Sequence, residues 1–178
     1  MREDDYPINI EGAAFRDDGS LLIGLRFPIS ADGHPVLVEM EGIDRLFEQG
    51  GGLPEVRGFW VVDAVGNGGD IAGVRDLSVF KGADGEELHL VTGNMDSRDK
   101  GSVLLPDCPG GQDTFATHFR CKLPPDEHSG ALKGEFAREF PNLPRIEGIA
   151  ITDGDRFFYV TDEDEGVHLR LIRLLAEE

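Results

Sequence analysis

The 178-residue sequence predicts an all-β fold of the β-propeller type, and three observations support this prediction. Short runs rich in Val, Ile, Leu and Phe recur from end to end between clusters of Gly, Pro and Asp, which is the pattern of strands and turns. The 24 glycines and 10 prolines indicate many turns and disfavour a helix bundle. One unit of strand, acidic-glycine turn and strand occurs three times, which is typical of repeat architectures.

The clearest copy of this unit lies near the C-terminal end of the sequence. It consists of a strand pattern at 146–151 (IEGIAI), an Asp-Gly-Asp turn and a second strand pattern at 157–160 (FFYV). The other two copies begin at 10–15 (IEGAAF) and, more loosely, at 74–79 (VRDLSV), and each continues through an Asp-Gly turn into another apolar run. We therefore expect three equivalent first strands.

Taken in order, the apolar runs predict about eleven strands and one short helix. The helix is expected at 43–47, where Ile43, Leu46 and Phe47 share a face and a Gly-Gly-Gly run follows. The stretches 66–70, 94–111 and 124–130 are expected to be loops. The predicted strands are 8–15, 21–25, 35–40, 59–64, 74–80, 88–92, 114–122, 134–140, 146–151, 157–161 and 167–174.

Grouped by the repeat, these strands fall into sets of four, four and three. A propeller blade is a four-stranded antiparallel sheet, and four to eight blades close the ring. The sequence thus predicts a single partial propeller domain over 1–178, with blade-like units at about 8–64, 71–140 and 144–175 and an incomplete last blade. Because such a ring has open edges, we expect either self-association through them or a longer parent protein.

Several segments stand in one order along the chain: 9–14 (NIEGAA) with 21–26 (LLIGLR), 73–78 (GVRDLS), and 146–150 (IEGIA). In this order they resemble a bacterial family known as domain of unknown function 3616, and the resemblance covers nearly the whole chain. It implies a propeller in the style of the esterase-like phytases and the gluconolactonase-type propellers. It also implies a C-terminal portion, because members of the family are usually longer. The family has no settled activity, so the resemblance bears on fold rather than function.

The candidate binding residues come from aligning the three first strands. Glu11, Arg75 and Glu147 occupy one position, and Gly12, Asp76 and Gly148 occupy the next. Equivalent positions of propeller blades face the same way, so these groups are expected to form a charged ring around one channel. The ring could orient a small polar or anionic ligand, or could hold Ca²⁺ with help from Asp76. The alternative is that the charges pair only to seal the channel.

Polar residues also follow each second strand: Arg26, Asn94 and Asp162. We expect them near one mouth of the channel, with Arg26 and Asn94 as further ligand-binding residues and Asp162 as a candidate metal ligand. Asp162 begins a run of four carboxylates at 162–165, which lacks the spacing of an EF-hand loop and favours an acidic hairpin.

The sequence does not decide whether the protein is an enzyme. It contains no Gly-x-Ser-x-Gly, His-Glu-x-x-His or phosphate-loop motif. The hypothesis is a channel that binds a small polar ligand or divalent cation and could support hydrolysis. The alternatives are a non-catalytic protein-interaction scaffold and a fragment of a longer propeller.

The formal charge of −18 excludes polyphosphate backbones and anionic membranes as favoured partners. The sequence begins without the basic and apolar segments of a signal peptide and contains no run of about 20 apolar residues, so a cytoplasmic location is expected. The two cysteines, Cys108 and Cys121, lack metal-site spacing and are expected to be reduced thiols.

Overall fold

The computed structural model describes residues 8–64, 72–94, 116–140, 146–153, 155–163 and 166–173. These residues form twelve strands and one 3-10 helix, so the all-β prediction is confirmed. The strands are β1 (Asn9–Phe15), β2 (Leu21–Phe27), β3 (Val36–Glu41), β4 (Glu55–Asp63), β5 (Ala72–Gly82), β6 (Gly85–Asn94), β7 (Ala116–Lys122), β8 (Gly130–Lys133), β9 (Glu135–Phe140), β10 (Ile146–Ile151), β11 (Arg156–Glu163) and β12 (Gly166–Arg173).

The strands form three sheets. The first sheet has the order β1-β2-β3-β4-β8, the second β5-β6-β7-β9 and the third β10-β11-β12. All pairs are antiparallel except β4 with β8. The expected sets of four, four and three are thus wrong by one strand, because β8 was not predicted. The predicted loop at 124–130 ends with Gly130, which opens β8 and pairs with Trp60 of β4.

The second sheet lies between the other two, so each of its faces is buried. Leu77, Leu90 and Phe119 belong to the cluster shared with the first sheet, which also contains Trp60. The opposite face contributes Val91, Ala116 and Phe140 to the cluster shared with the third sheet. Because side chains alternate between faces along a strand, one strand serves both cores. This alternation gives β6 its nearly continuous buried run.

The first strands of the three sheets are neighbours: β1 packs against β5, and β5 packs against β10. A Cβ atom at Gly12 would lie 3.0 Å from the backbone nitrogen of Leu77, so this position of β1 has room only for glycine unless the neighbouring backbone shifts. The three first strands therefore meet along one line through the stack of sheets. This arrangement positions the candidate site.

The predicted short helix is a 3-10 helix at Ile43–Phe47. None of its residues is buried, and Phe47 is 86% exposed, so its apolar side chains do not contribute to either core. Within the described ranges, no helix is long and apolar enough to cross a membrane. The predicted loop stretch 66–70 and residues 95–111 of the longer one lie outside the described residues.

Candidate functional site

Each of the three first strands contains an irregularity at the same place. In β1 the pairing with β2 passes from Ile10 to Gly12, and in β10 the pairing with β11 passes from Ile146 to Gly148. In β5 it passes from Val74 to Asp76. The residues left out of register are those that the sequence aligned: Glu11, Arg75 and Glu147. A β-bulge re-aims the side chain of its extra residue, and bulges recur beside binding sites.

Arg75 and Glu147 form an ion pair across the line where β5 meets β10. The Nη1 atom of Arg75 lies 3.6 Å from Oε1 of Glu147. The Arg75 side chain is fully buried, whereas the Glu147 side chain is 40% exposed. Gly93 makes this burial possible, because a Cβ atom there would overlap the Nε atom of Arg75. The guanidinium thus lies behind an accessible carboxylate.

Glu11 has a similar arrangement with Arg26 on β2. Nη1 of Arg26 donates to Oε2 of Glu11 at 3.0 Å, and Asn9 donates to the other oxygen at 3.2 Å. The Arg26 side chain is 5% exposed, and the Glu11 side chain is 27% exposed. The structure therefore supports two carboxylates that face solvent, each backed by a buried guanidinium.

Asp76 is the residue after the second bulge, and it links β5 to β10. Its Oδ2 atom accepts a hydrogen bond of 2.7 Å from the backbone N–H of Ile149. Burial raises the pKa of Asp76, although the N–H groups of Ile149 and Leu77 act in the opposite direction. Asp76 fixes the two strands relative to each other. The side chains of Asn94 and Asp162, the other predicted site residues, lie outside the part of the chain that the structure describes.

A second polar cluster was not predicted, and its centre is the buried Glu39 on β3. Its Oε1 atom accepts hydrogen bonds from Ser20 and Nδ1 of His128, both at 2.8 Å. Its Oε2 atom accepts one from the Trp60 indole, also at 2.8 Å. Nη1 of Arg16 is 3.2 Å from both oxygens. Burial opposes ionisation of Glu39, but these partners outweigh it, so its pKa lies below the ordinary value.

Arg16 extends this cluster to the second sheet and the segment after β7. Its Nε atom donates to Glu86 at 3.0 Å. Its remaining guanidinium nitrogens donate to the carbonyl oxygens of Pro124 at 2.7 Å and Glu127 at 3.1 Å. The arginine therefore holds the segment that carries His128 against the first sheet.

The cluster brings three potential metal ligands together, because ligand atoms of Asp18, Glu39 and His128 lie within 4.8 Å of one another. Two arginines already compensate the carboxylates: Arg16 at Glu39, and Arg57, whose Nη1 atom is 2.6 Å from Asp18. The hydrogen bonds also occupy the acceptor positions of Glu39, so the arrangement fits a structural network better than a cation site.

The same cluster does not have the geometry of a catalytic triad. In a triad the histidine lies between the serine and the carboxylate, so that it can take the hydroxyl proton. Here the Ser20 hydroxyl and the His128 ring both contact one oxygen of Glu39. Oδ1 of Asp18 also lies 2.7 Å from the Ser20 hydroxyl, whose single proton is donated to one of the two carboxylates at a time. The serine hydroxyl is thus oriented towards carboxylates.

A third polar feature lies between the second and third sheets. Nδ1 of His89 is 2.9 Å from Nε2 of His118, and Nδ1 of His118 is 2.8 Å from the Tyr159 hydroxyl. Oε1 of Glu87 lies 2.6 Å from Nε2 of His89, but the angle does not suit a hydrogen bond. If Tyr159 donates to Nδ1 of His118, then Nε2 of His118 carries a proton and donates to Nδ1 of His89. The proton of His89 is then on Nε2, on the side of the Glu87 carboxylate. All three ring-bearing members are buried.

These histidines are poor general bases because of their surroundings. Burial, reinforced by the charge of Arg120, lowers the pKa of His89 to about 3. Burial, the neighbouring His89 and Arg120 hold the pKa of His118 well below its usual range. Burial likewise raises the pKa of the Cys121 thiol to about 12, so this free cysteine stays protonated.

Comparison with known proteins yields no family model that matches the sequence and no curated protein that aligns with it. One sequence signal could have revealed the unpredicted cluster. Glu39 follows Leu37 at an inward-facing position of an apolar strand, and a buried acid needs partners.

Proposed function

We propose that the three sheets are blades of a partial β-propeller whose axial residues bind a small polar ligand. The observation that carries the proposal is the set of three bulges, which gives Glu11, Arg75 and Glu147 equivalent places on adjacent first strands. The packing of β1 on β5 and of β5 on β10 supports a common axis. The resemblance to domain of unknown function 3616 is compatible with the same fold.

The charges of the site favour one class of ligand. The accessible groups are the carboxylates of Glu11 and Glu147, while Arg26 and Arg75 lie behind them and offset their charge. A carboxylate that pairs with one guanidinium keeps further acceptor positions for hydrogen bonds from hydroxyl groups. A bound Ca²⁺ would have to compete with the arginines for the same oxygens. The proposed ligand is therefore a neutral polyhydroxy compound, such as a sugar or polyol, ahead of a divalent cation.

The experiment measures binding of glucose, myo-inositol and glycerol by calorimetry, with calcium chloride as a separate titration. The variants are Glu11→Gln and Glu147→Gln, which keep the side-chain size and remove the charge. Glu48→Gln is the matched control, because Glu48 is exposed beyond the 3-10 helix. We expect at least one polyhydroxy compound to bind the wild type, with affinity about tenfold lower in each axial variant.

Equal affinity in the wild type and both axial variants would place the ligand elsewhere. Absence of binding by every polyhydroxy compound would reject the proposed ligand class. Tight calcium binding that is lost in Glu147→Gln would instead support a metal site on the same axis.

A non-catalytic interaction scaffold is the second candidate, and one surface favours it. A groove of about 580 Å³ is bordered by Phe15, Phe47 and Arg57, with carboxylates at its rim. Phe15 and Phe47 are 59% and 86% exposed there, and adjacent exposed apolar side chains mark interaction surfaces. A scaffold would lose a partner on Phe47→Ser and keep it on Glu147→Gln, the reverse of the pattern expected for axial binding.

A further inference from the structure

The outer face of the first sheet, which is the face turned away from the second sheet, is apolar across four strands. The strand register sets Ala13, Ile23, Val38 and Phe59 side by side in one row. Phe59 is 56% exposed, Ala13 is exposed, and the other two are half-buried. A sheet face that meets water normally carries polar residues at these alternating positions. This face has the composition of a covered surface.

The outer face of the third sheet, turned away from the second sheet, has the same character. Val160 pairs with Leu169, and Ala150 pairs with Phe158 on the same side of the sheet. Leu169 is 67% exposed, and Val167 beside it is 70% exposed. The two ends of the stack therefore each present an apolar sheet face, while the faces between them form the two cores.

We infer that a second copy of the chain covers these faces, with the outer face of each first sheet packed on the outer face of its partner's third sheet. The contact would be of the same kind as the two within the chain, where the first sheet packs face to face on the second and the second on the third. The two faces differ, so the contact is heterologous and each copy offers one of each kind. Two copies then close a ring with two identical interfaces.

The expected area explains why the ring should close. With strands about 4.8 Å apart and about 23 Å long, the three-stranded face covers roughly 330 Å². One interface would then bury about 660 Å² in total, which is below the size of a stable contact. Both together bury about 1,300 Å², within the range of specific complexes. Two copies also supply six sheets, inside the four to eight that close a propeller.

The closed ring rests on the propeller arrangement proposed above, but the ligand does not enter the inference. A failed ligand experiment would leave the dimer untouched, because the axial carboxylates are not on the outer faces. Association through faces also differs from the edge pairing that the sequence suggested, since the exposed apolar side chains are on the faces.

The experiment is sedimentation velocity on the full chain at about 10 µM and above, because the weaker complexes with interfaces of standard size have micromolar dissociation constants. We expect a species of twice the 19.5 kDa chain mass. Phe59→Lys places a charge on one face, and Leu169→Glu places one on the other. Each variant damages both interfaces of its own ring and should raise the dissociation constant at least about 100-fold. Leu53→Lys is the control, because Leu53 is 79% exposed and lies before β4, outside both sheet faces.

Mixing the two variants tests the heterologous arrangement. A mixed ring contains one undamaged interface and one in which the new lysine faces the new glutamate, so an equimolar mixture should recover the dimer. Recovery also shows that both variants are folded. The inference is overturned if the wild type is a monomer at about 100 µM. It is equally overturned if both variants remain dimeric, or if the mixture stays monomeric.

Discussion

Acidification will weaken the contact between the second and third sheets, because His89 and His118 are buried there as neutral rings. His89 has a pKa of about 3 in the folded chain, against 6.5 when exposed. Between these values the unfolded chain binds a proton that the folded chain does not, so the free energy of unfolding falls as the pH falls. The stabilisation is fully present above pH 6.5 and is lost progressively towards the folded pKa.

The size of this effect follows from the shift. Each proton bound only by the unfolded state changes the free energy of unfolding by about 1.4 kcal/mol per pH unit. Two units below the exposed value, near pH 4.5, the protonation of His89 in the unfolded chain alone lowers the free energy of unfolding by about 3 kcal/mol. His118 is shifted in the same direction and adds to the slope. The total is a large part of the stability of an ordinary domain.

The assay is urea unfolding at several pH values for the wild type and for His89→Gln. The glutamine does not titrate, so its curve should lose about 1.4 kcal/mol per pH unit less than the wild type between about pH 6.5 and 4.5. At neutral pH the variant should be less stable by about 1–3 kcal/mol, because it disturbs the hydrogen bond to His118. Carboxylates such as Glu39 titrate in both proteins, so their contributions cancel when the two free energies of unfolding are subtracted. The reasoning would be refuted if both proteins lost the same free energy of unfolding per pH unit, or if NMR showed that His89 titrates near pH 6.5 in the folded protein.

Two further substitutions test the packing that supports the site. Glu39→Gln should lower the free energy of unfolding by about 3 kcal/mol, because the buried donors of Trp60 and Arg16 lose a charged acceptor, although Arg16 keeps Glu86 as a partner. Urea unfolding at pH 7 measures this, and a loss below about 1 kcal/mol would contradict it. Gly93→Ala should destabilise by about 2 kcal/mol or more, since the added methyl group overlaps the Arg75 guanidinium. Gly52→Ala is the control, because its methyl group meets only ordinary contact at 3.8 Å.

Local patterns account for most of the fold that could be predicted. Strands such as β2 and β10 are predicted by apolar runs that are followed by glycine and aspartate, and these signals are local in the sequence. β8 has no such signal: Gly130–Lys133 contains one buried apolar residue, Leu132. It is a strand because β4 offers an open edge beside it, and its parallel pairing with β4 is a tertiary property.

The candidate site likewise combines features that the sequence predicts with contacts that depend on strand register. The alignment of Glu11 with Glu147 follows from repeated sequence, and both lie at bulges. The pairing of Glu11 with Arg26 depends on the register of β1 and β2, which the bulge shifts. The contact of His89 with His118 likewise depends on the β6–β7 register, which places them diagonally on one face. Periodicity cannot supply either register.

The placement of buried polar groups distinguishes the inner faces of the stack from its ends. Arg16 with Glu86 joins the first and second sheets, and His118 with Tyr159 joins the second and third. A buried polar group that loses its partner costs more free energy than the complete network contributes. Each contact between two sheets can therefore form in one strand register and with one neighbouring sheet. The rows described above for the outer faces carry apolar side chains instead. These rows can remain exposed in a single chain without leaving a buried charge unpaired, and they can be covered by association without desolvating a charge of their own. Specific polar contacts therefore determine how the sheets pack inside the chain. A contact between outer faces would depend on the apolar area that it buries, and both interfaces of a closed ring are needed to reach a sufficient area.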